Sequence, residues 1–294
     1  MEKAILKTLI YADIFDYPLK INEIHKWLIG RKVTLRQVEK ALKRLSQVSS
    51  IKYQGGYYFL GWRNGLVAER RRREKQSAVY LKKVSLLSQI LKVIPWIKLV
   101  GISGGLALHN ASKKDDIDLF IITNKNRLWI SRLLSLGLLS LTGQRRKVGE
   151  KGRKIAGKLC INTLLEDMRL EQTNKDIFVA HEVLQMKVLW QRDGVYSKYL
   201  SDNDWAFKFL PNWTTNVSSP RRRGSNKQRE MVNWIPAFAG MTMERIAKWF
   251  QLKIMQKPTG MERIEDGALY FHPNDIRQEV LSKYEQKLKK IISP

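Results

Sequence analysis

The chain has 294 residues, 44% hydrophobic and 10% aromatic, enough for one sizeable core or two smaller ones and too apolar for a disordered protein. Its formal net charge of +27 points to contact with polyanions, meaning nucleic acid, nucleotides or anionic lipid, with a solvated basic surface as the alternative. The single cysteine, Cys160, excludes an internal disulfide and fits a reducing cytoplasm, where the chain is expected to reside. Asp13 and Asp16 interrupt any apolar run that a signal peptide would need. The most lipid-like stretch, Leu128–Leu141, is too short to span a bilayer and carries Arg132, so it reads as a buried amphipathic helix.

Apolar positions at Ile5, Leu6, Leu9, Ile10 and Ile14 predict a helix over 3–14, ended by Tyr17-Pro18. A second short helix is expected over 21–29. Thr34 and Gln37 make a capping-box pattern that opens a third helix to about Leu45, with Leu35, Val38, Leu42 and Leu45 inward. Strands at 51–53 and 57–60 flank Gln54-Gly55-Gly56, a turn suited to a hairpin. Three short helices and a hairpin resemble a winged helix-turn-helix domain. The resemblance implies that Arg36, Lys40, Lys43 and Arg44, outward on the third helix, face a DNA groove. Modules of this shape also serve protein contacts. The run Arg70–Arg73 falls in a long predicted helix over 66–93 and reads as a solvated face, with phosphate contact as the alternative.

Beyond Pro95, residues 97–103 and Ile117–Thr123 read as buried strands joined through Gly104-Gly105 and a helical turn. A helix over 127–141, a basic loop over 143–158 and a strand over 159–165 follow. Helices are expected over 178–190, 196–209 and 244–255, then an irregular stretch over 258–271. A helix start at 272–275 leads into a lysine-rich terminal helix over 276–291. Residues 218–242 show neither period, and their end, Trp234 to Thr242, resembles a translated bacterial dispersed repeat. That segment reads as an in-frame insertion in a loop, which discounts Arg221, Arg222 and Arg223 as a nucleic-acid site, with an ordinary basic loop carrying a small aromatic anchor as the alternative.

The most informative string runs from Gly101 to Thr123. Gly104-Gly105, a ten-residue spacer and Asp116-Ile117-Asp118-Leu119 resemble the signature of polymerase-beta-like nucleotidyltransferases. Residues two apart on a strand share a face, so Asp116 and Asp118 form paired carboxylates while Ile117 and Leu119 anchor the opposite face. Such a pair repels itself unless a cation or proton intervenes, and Mg²⁺ with nucleotide phosphates suits it. Gly104 and Gly105 let backbone N–H groups approach phosphates, and Ser103 adds a hydroxyl.

The family usually carries a third carboxylate on a later strand. Here the expected position holds Asn162, a neutral ligand, with Glu166 or Asp167 at the strand end as substitutes. Asp115 is expected to help the turn. His109, His181 and His272 show no zinc spacing, and His181-Glu182 reads as a helix-surface pair. Lys113, Lys114 and the Arg145–Lys147 cluster divide evenly between phosphate or RNA contact and solvated loops. No Walker A, Rossmann or Ser-His-Asp pattern occurs.

The expected fold class is α+β. It comprises a winged-helix-like domain (1–65), a connecting helix (66–95), a small mixed-sheet nucleotidyltransferase-like domain (96–215), the insertion (216–242) and a C-terminal helical segment (243–294). This order resembles bacterial proteins that place a nucleotidyltransferase domain after a winged-helix-like segment. The resemblance implies a Mg²⁺-dependent enzyme, with one or two metals, moving a nucleoside monophosphate from an NTP to an acceptor hydroxyl. The alternatives are a degenerate domain acting as a DNA-binding regulator, or a toxin–antitoxin-type component. The expected partners are a nucleotide and DNA or RNA, with no membrane span.

Overall fold

The computed structural model describes residues 1–47, 51–147, 149–150, 152–214, 237–255, 263–271 and 276–292. Helices α1 (Glu2–Asp13), α2 (Ile21–Lys26) and α3 (Leu35–Gln47) precede a hairpin of β1 (Ile51–Gln54) and β2 (Tyr57–Leu60). Gly55 and Gly56 adopt φ of 58° and 92°, the left-handed backbone that a two-residue hairpin turn requires. Leu19 and Tyr58 exchange backbone bonds of 3.0 and 2.8 Å, so the α1–α2 connection pairs with the hairpin. The capping box forms: Thr34 N donates to Gln37 Oε1 at 2.9 Å and Gln37 N to Thr34 Oγ1 at 3.3 Å. Val38, Leu42 and Leu45 are buried as expected, but Leu35 is 41% exposed because it opens the helix ahead of its first packed turn.

Helix α4 (Leu66–Leu87) continues as a 3-10 helix, Ser88–Val93. Its arginine run is not uniformly solvated. Arg70 is only 2% exposed, pairs with Glu23 at 2.8 Å and Glu74 at 3.1 Å, and lies 3.7 Å from the Tyr17 ring centre. It braces α4 against α2 instead of facing solvent. Farther along, Ser77 Oγ accepts from Ala111 N and Tyr80 Oη donates to Lys113 O, both at 3.0 Å. These bonds tie α4 to the loop that carries the acidic motif.

The second half begins with β3 (Ile97–Ile102), α5 (Gly104–Ala107), β4 (Ile117–Thr123) and α6 (Leu128–Leu141). A 3-10 turn (Gly152–Ile155), β5 (Leu159–Glu166), α7 (Ile177–Gln185) and β6 (Lys187–Gln191) come next. Then follow α8 (Val195–Asp202), α9 (Ala206–Phe209), α10 (Ala237–Ile254), β7 (Arg263–Glu265), β8 (Ala268–Tyr270) and α11 (Ile276–Ile292). Six strands make a mixed sheet in the order β6-β3-β4-β5-β8-β7, in which β4 and β5 run parallel and the other neighbours antiparallel.

Strand alternation sorts the sheet into two faces. Leu119 and Ile121 join the apolar cluster beneath α6 and α10. Phe120 and Ile122 join another, shared with α7 to α9, α11 and the N-terminal helices. Asp118 lies two residues before Phe120, so it faces the α7 side.

Four expectations are corrected. The helix expected over 178–190 stops at Gln185; Met186 turns extended and β6 follows as the edge strand beside β3. The helix expected over 196–209 breaks at Asn203. This side chain donates to Leu170 O and Tyr199 O at 2.8 and 2.9 Å and accepts from Gln172 N at 2.8 Å. The stretch expected to be irregular contains the β7–β8 hairpin, which extends the sheet beside β5. Finally, α10 begins at Ala237, so the end of the proposed insertion is helical. The rest of that segment, with Arg221 to Arg223, and the helix start at 272–275 lie outside the described residues. Among the described residues no helix is long and apolar enough to cross a membrane.

Candidate functional site

Asp116 precedes β4 and Asp118 lies within it, beside the turn from β3 into α5. Ser103 N donates to the Asp118 carbonyl at 3.1 Å, which holds that turn against β4. Gly104 has φ +63°, and a Cβ placed on it would meet Asp118 Oδ2 at 3.4 Å. The distance is an ordinary contact, so it is the backbone conformation that favours glycine here. Asp115 holds the approaching loop, accepting from Ser112 N at 2.8 Å and Ser112 Oγ at 2.7 Å.

Arg146 enters from the loop before β5. Its N–H donates to Leu159 O at 2.9 Å, and its Nη1 reaches Asp116 Oδ2 at 2.6 Å. Among the described residues no cation pairs with Asp118 in this way. Burial pushes its carboxyl up to about 8, repulsion from Asp116 and Glu182 adds to this, and Arg146 offsets part of it.

The residue beside the pair on β5 is Cys160, not Asn162. Register pairs Asp118 with Cys160, and ligand atoms of Asp116, Asp118 and Cys160 lie within 4.8 Å of one another. Burial, with the negative field of Asp118 and Asp116, pushes the Cys160 thiol up to about 12, so it is a neutral neighbour at physiological pH. Asn162 sits at a register shift: Leu119 pairs with Ile161 and Phe120 with Thr163, leaving Asn162 bulged between them. Its Oδ1 is buried with no partner, and its side chain lines the same cavity as Asp118.

Glu166 is not brought to the site. It pairs with Thr123 at the far end of β5, about 20 Å along the strand from Cys160 at normal strand rise. There its Oε1 accepts from Asn126 N at 2.9 Å. Asp167 is bound to Lys98 at 2.8 Å at that same end.

A third carboxylate arrives from a helix. Glu182 on α7 lines the cavity that Asp118 lines, so His181-Glu182 is not a helix-surface pair. Burial pushes Glu182 up to about 7. His181 is buried between Tyr11 and Trp27, with ring centres at 4.1 and 5.5 Å, and burial pushes it down to about 4, so it stays neutral. The signal was present in the sequence. α7 reads Ile-Phe-Val-Ala-His-Glu-Val-Leu-Gln, nearly apolar all round, and a carboxylate within such a helix cannot simply face solvent.

Three cavities meet at Gly104-Gly105. The largest, about 480 Å³, runs from Ser103 and Asp118 past Asn162, Phe120 and Tyr199 to Arg263 and Arg277. A second, about 200 Å³, is bounded by Ser103, Gly105, Lys114, Asp116 and Asp118. A third, about 170 Å³, lies between α1, α2 and α7 and is walled by aromatic rings. Lys114 thus borders the acidic pair, whereas Arg145 donates to Ser140 Oγ at 3.2 Å.

The other expected cluster is on α3. Arg36, Lys40, Lys43 and Arg44 are all exposed. Two are engaged on the protein: Lys43 with Glu39 at 3.6 Å and Arg44 with Glu2 at 3.8 Å.

The donor set fits a hard divalent cation. Two carboxylates offer oxygen, and the uncompensated charge that raises Asp118 is what a cation relieves. Asn162 offers a further neutral oxygen near the cavity, while the protonated thiol does not compete as a ligand. No family model, curated protein or solved structure matches the chain.

Proposed function

We propose that the protein is a Mg²⁺-dependent nucleotidyltransferase of the polymerase-beta-like type, transferring a nucleoside monophosphate from an NTP to an acceptor hydroxyl. The observation that carries this reading is the convergence of Asp116, Asp118, the Gly104 turn and Glu182 on adjoining cavities. Asp116 and Asp118 would hold Mg²⁺, which neutralises charge on the phosphates when bound. The backbone at Gly104 and Gly105, with Ser103 and Lys114, would position those phosphates. Glu182, poised near neutrality, would take the proton of the attacking hydroxyl. The acceptor oxygen bonds to the α-phosphorus, the bond to the β-phosphate breaks, and pyrophosphate leaves. Purified protein incubated with α-labelled NTPs and Mg²⁺ should transfer label, and Asp118→Asn should abolish it. Equal labelling by both proteins would sink the assignment.

A second reading is favoured by α1–α3 and the hairpin, which resemble a winged helix with exposed cations on α3. Under it, the domain is degenerate, with Cys160 in place of the usual third acid, and the protein regulates through DNA. Duplex binding should then weaken steeply with salt, and Arg36→Ala with Lys40→Ala should flatten the slope. A shallow slope unaffected by these changes argues against DNA reading.

A further inference from the structure

The cavity of about 170 Å³ between α1, α2 and α7 is distinct from both cavities that border the acidic pair. Tyr11, Phe15, Tyr17, Trp27 and Phe178 contribute its walls, and no lysine or arginine lines it among the described residues. A phosphate or another anion has no counter-charge there. The space falls below the roughly 300 Å³ at which drug-sized sites begin, so it takes one ring and not a whole nucleoside. The cavity of about 480 Å³ has the size for the nucleoside.

The lining of the small cavity also includes a side chain with an unmet hydrogen-bond acceptor. Asn110 is 8% exposed, and its Nδ2 donates to Phe15 O at 3.1 Å. A carbonyl only accepts, so this bond fixes the amide orientation. Oδ1 is left buried without a partner, on a side chain that lines the cavity. A buried unpaired acceptor is costly, and a ligand N–H or O–H would satisfy it. Glu182 lines this cavity as well as the nucleoside-sized one, and so stands where the two meet.

We propose that this aromatic cavity is the acceptor subsite, and that the acceptor is a small neutral aromatic ring carrying the reacting hydroxyl and a second N–H or O–H donor. The inference rests on the transferase reading for the word acceptor; the ring-binding site stands on the cavity itself. The ring packs among the aromatic walls, its donor meets Asn110 Oδ1, and its hydroxyl lies towards Glu182. On transfer, the hydroxyl oxygen bonds to the α-phosphorus, pyrophosphate departs, and the proton passes to the Glu182 carboxylate.

Resorcinol is a suitable probe, with cyclohexane-1,3-diol as a control that keeps both donors but loses the aromatic plane. Saturation-transfer NMR titrations of the full chain, without nucleotide, measure binding. Resorcinol should bind, and the cyclohexanediol should bind about five-fold more weakly or not at all. Asn110→Leu should weaken resorcinol about five-fold, the worth of one hydrogen bond. Ala12→Leu fills the space and leaves Asn110 intact; it should abolish binding, with circular dichroism confirming that each variant is folded. Absence of resorcinol binding, equal binding of the two diols, or binding unchanged in folded Ala12→Leu would overturn the proposal. Label transfer without resorcinol binding refutes the subsite alone; resorcinol binding without any transfer refutes the enzyme reading and leaves the ring site standing.

Discussion

Replacing Asp118 by asparagine should stabilise the metal-free protein, the reverse of what most buried substitutions do. The folded carboxyl is pushed up to about 8 from an ordinary 3.8. Between these values the folded state binds a proton that the unfolded chain has released, so stability falls as pH rises from about 4 to about 8. By pH 7, the part of this displacement already crossed corresponds to a ceiling of ~4 kcal/mol, from 1.36 kcal/mol per pH unit. Solvent in the two cavities that Asp118 lines screens the charge, so about 1–2 kcal/mol survives. At roughly 2–4 °C per kcal/mol for a chain of this size, Asp118→Asn should melt about 2–8 °C higher at pH 8. The gap should shrink towards pH 5. Thermal unfolding across pH 5–9 in EDTA measures this, and a repeat in millimolar Mg²⁺ should raise the wild type but not the variant. A variant that melts below the wild type at pH 8 in EDTA would refute the account of Asp118 as an under-compensated charge.

Glu182→Gln should remove the basic-side gain in transfer rate. In the wild type the rate should climb as pH passes about 7 and Glu182 loses its proton, whereas the variant's profile should lack that limb. Gly104→Ala should cost about 1 kcal/mol through its positive φ and strain the turn beside Asp118, so isothermal titration with Mg²⁺ and a non-hydrolysable NTP should show a several-fold loss of affinity. Asn203→Ala should destabilise by about 2–4 kcal/mol in urea denaturation, since it removes the amide that bonds the Leu170 and Tyr199 carbonyls and the Gln172 N–H at once.

The sequence exposed those elements whose neighbours in the fold are also neighbours in the chain. The capping box at Thr34, the Gly55-Gly56 turn and the alternation across Ile117–Thr123 are local patterns, and each forms as read. What escaped was decided by distant partners. The segment over 187–191 is a strand because β3 offers it an edge, not because its own residues alternate cleanly in burial. The β7–β8 hairpin likewise depends on β5, a hundred residues earlier in the chain. Asn162 is the polar residue at the middle of the strand expected over 159–165, but cross-strand register is not written in the sequence. That register pairs Cys160 with Asp118, and the bulge that follows leaves Asn162 without a partner on β4 and lining the larger cavity. Arg70 shows the same limit for charge: four consecutive arginines look alike in sequence, yet Glu23 and Glu74 draw one of them fully inside.

The Asp118–Cys160 pairing shapes what a transferase site could be in this fold. With a carboxylate at position 160, β4 and β5 would gather three anions and the site would be a strand-borne metal centre. With a protonated thiol there, the strands contribute two carboxylates, one already bound to Arg146. The remaining anion comes from α7, across the cavity and on an element packed against α1 and α2 through His181, Tyr11 and Trp27. Under the proposed function, metal holding and proton removal would be divided between two parts of the fold: the sheet for the first, the α7 face for the second. This division makes the N-terminal helices more than an appended module. Their aromatic side chains set the position of α7, hence of Glu182, and wall the only one of the three cavities that has no residue of the acidic pair in its lining.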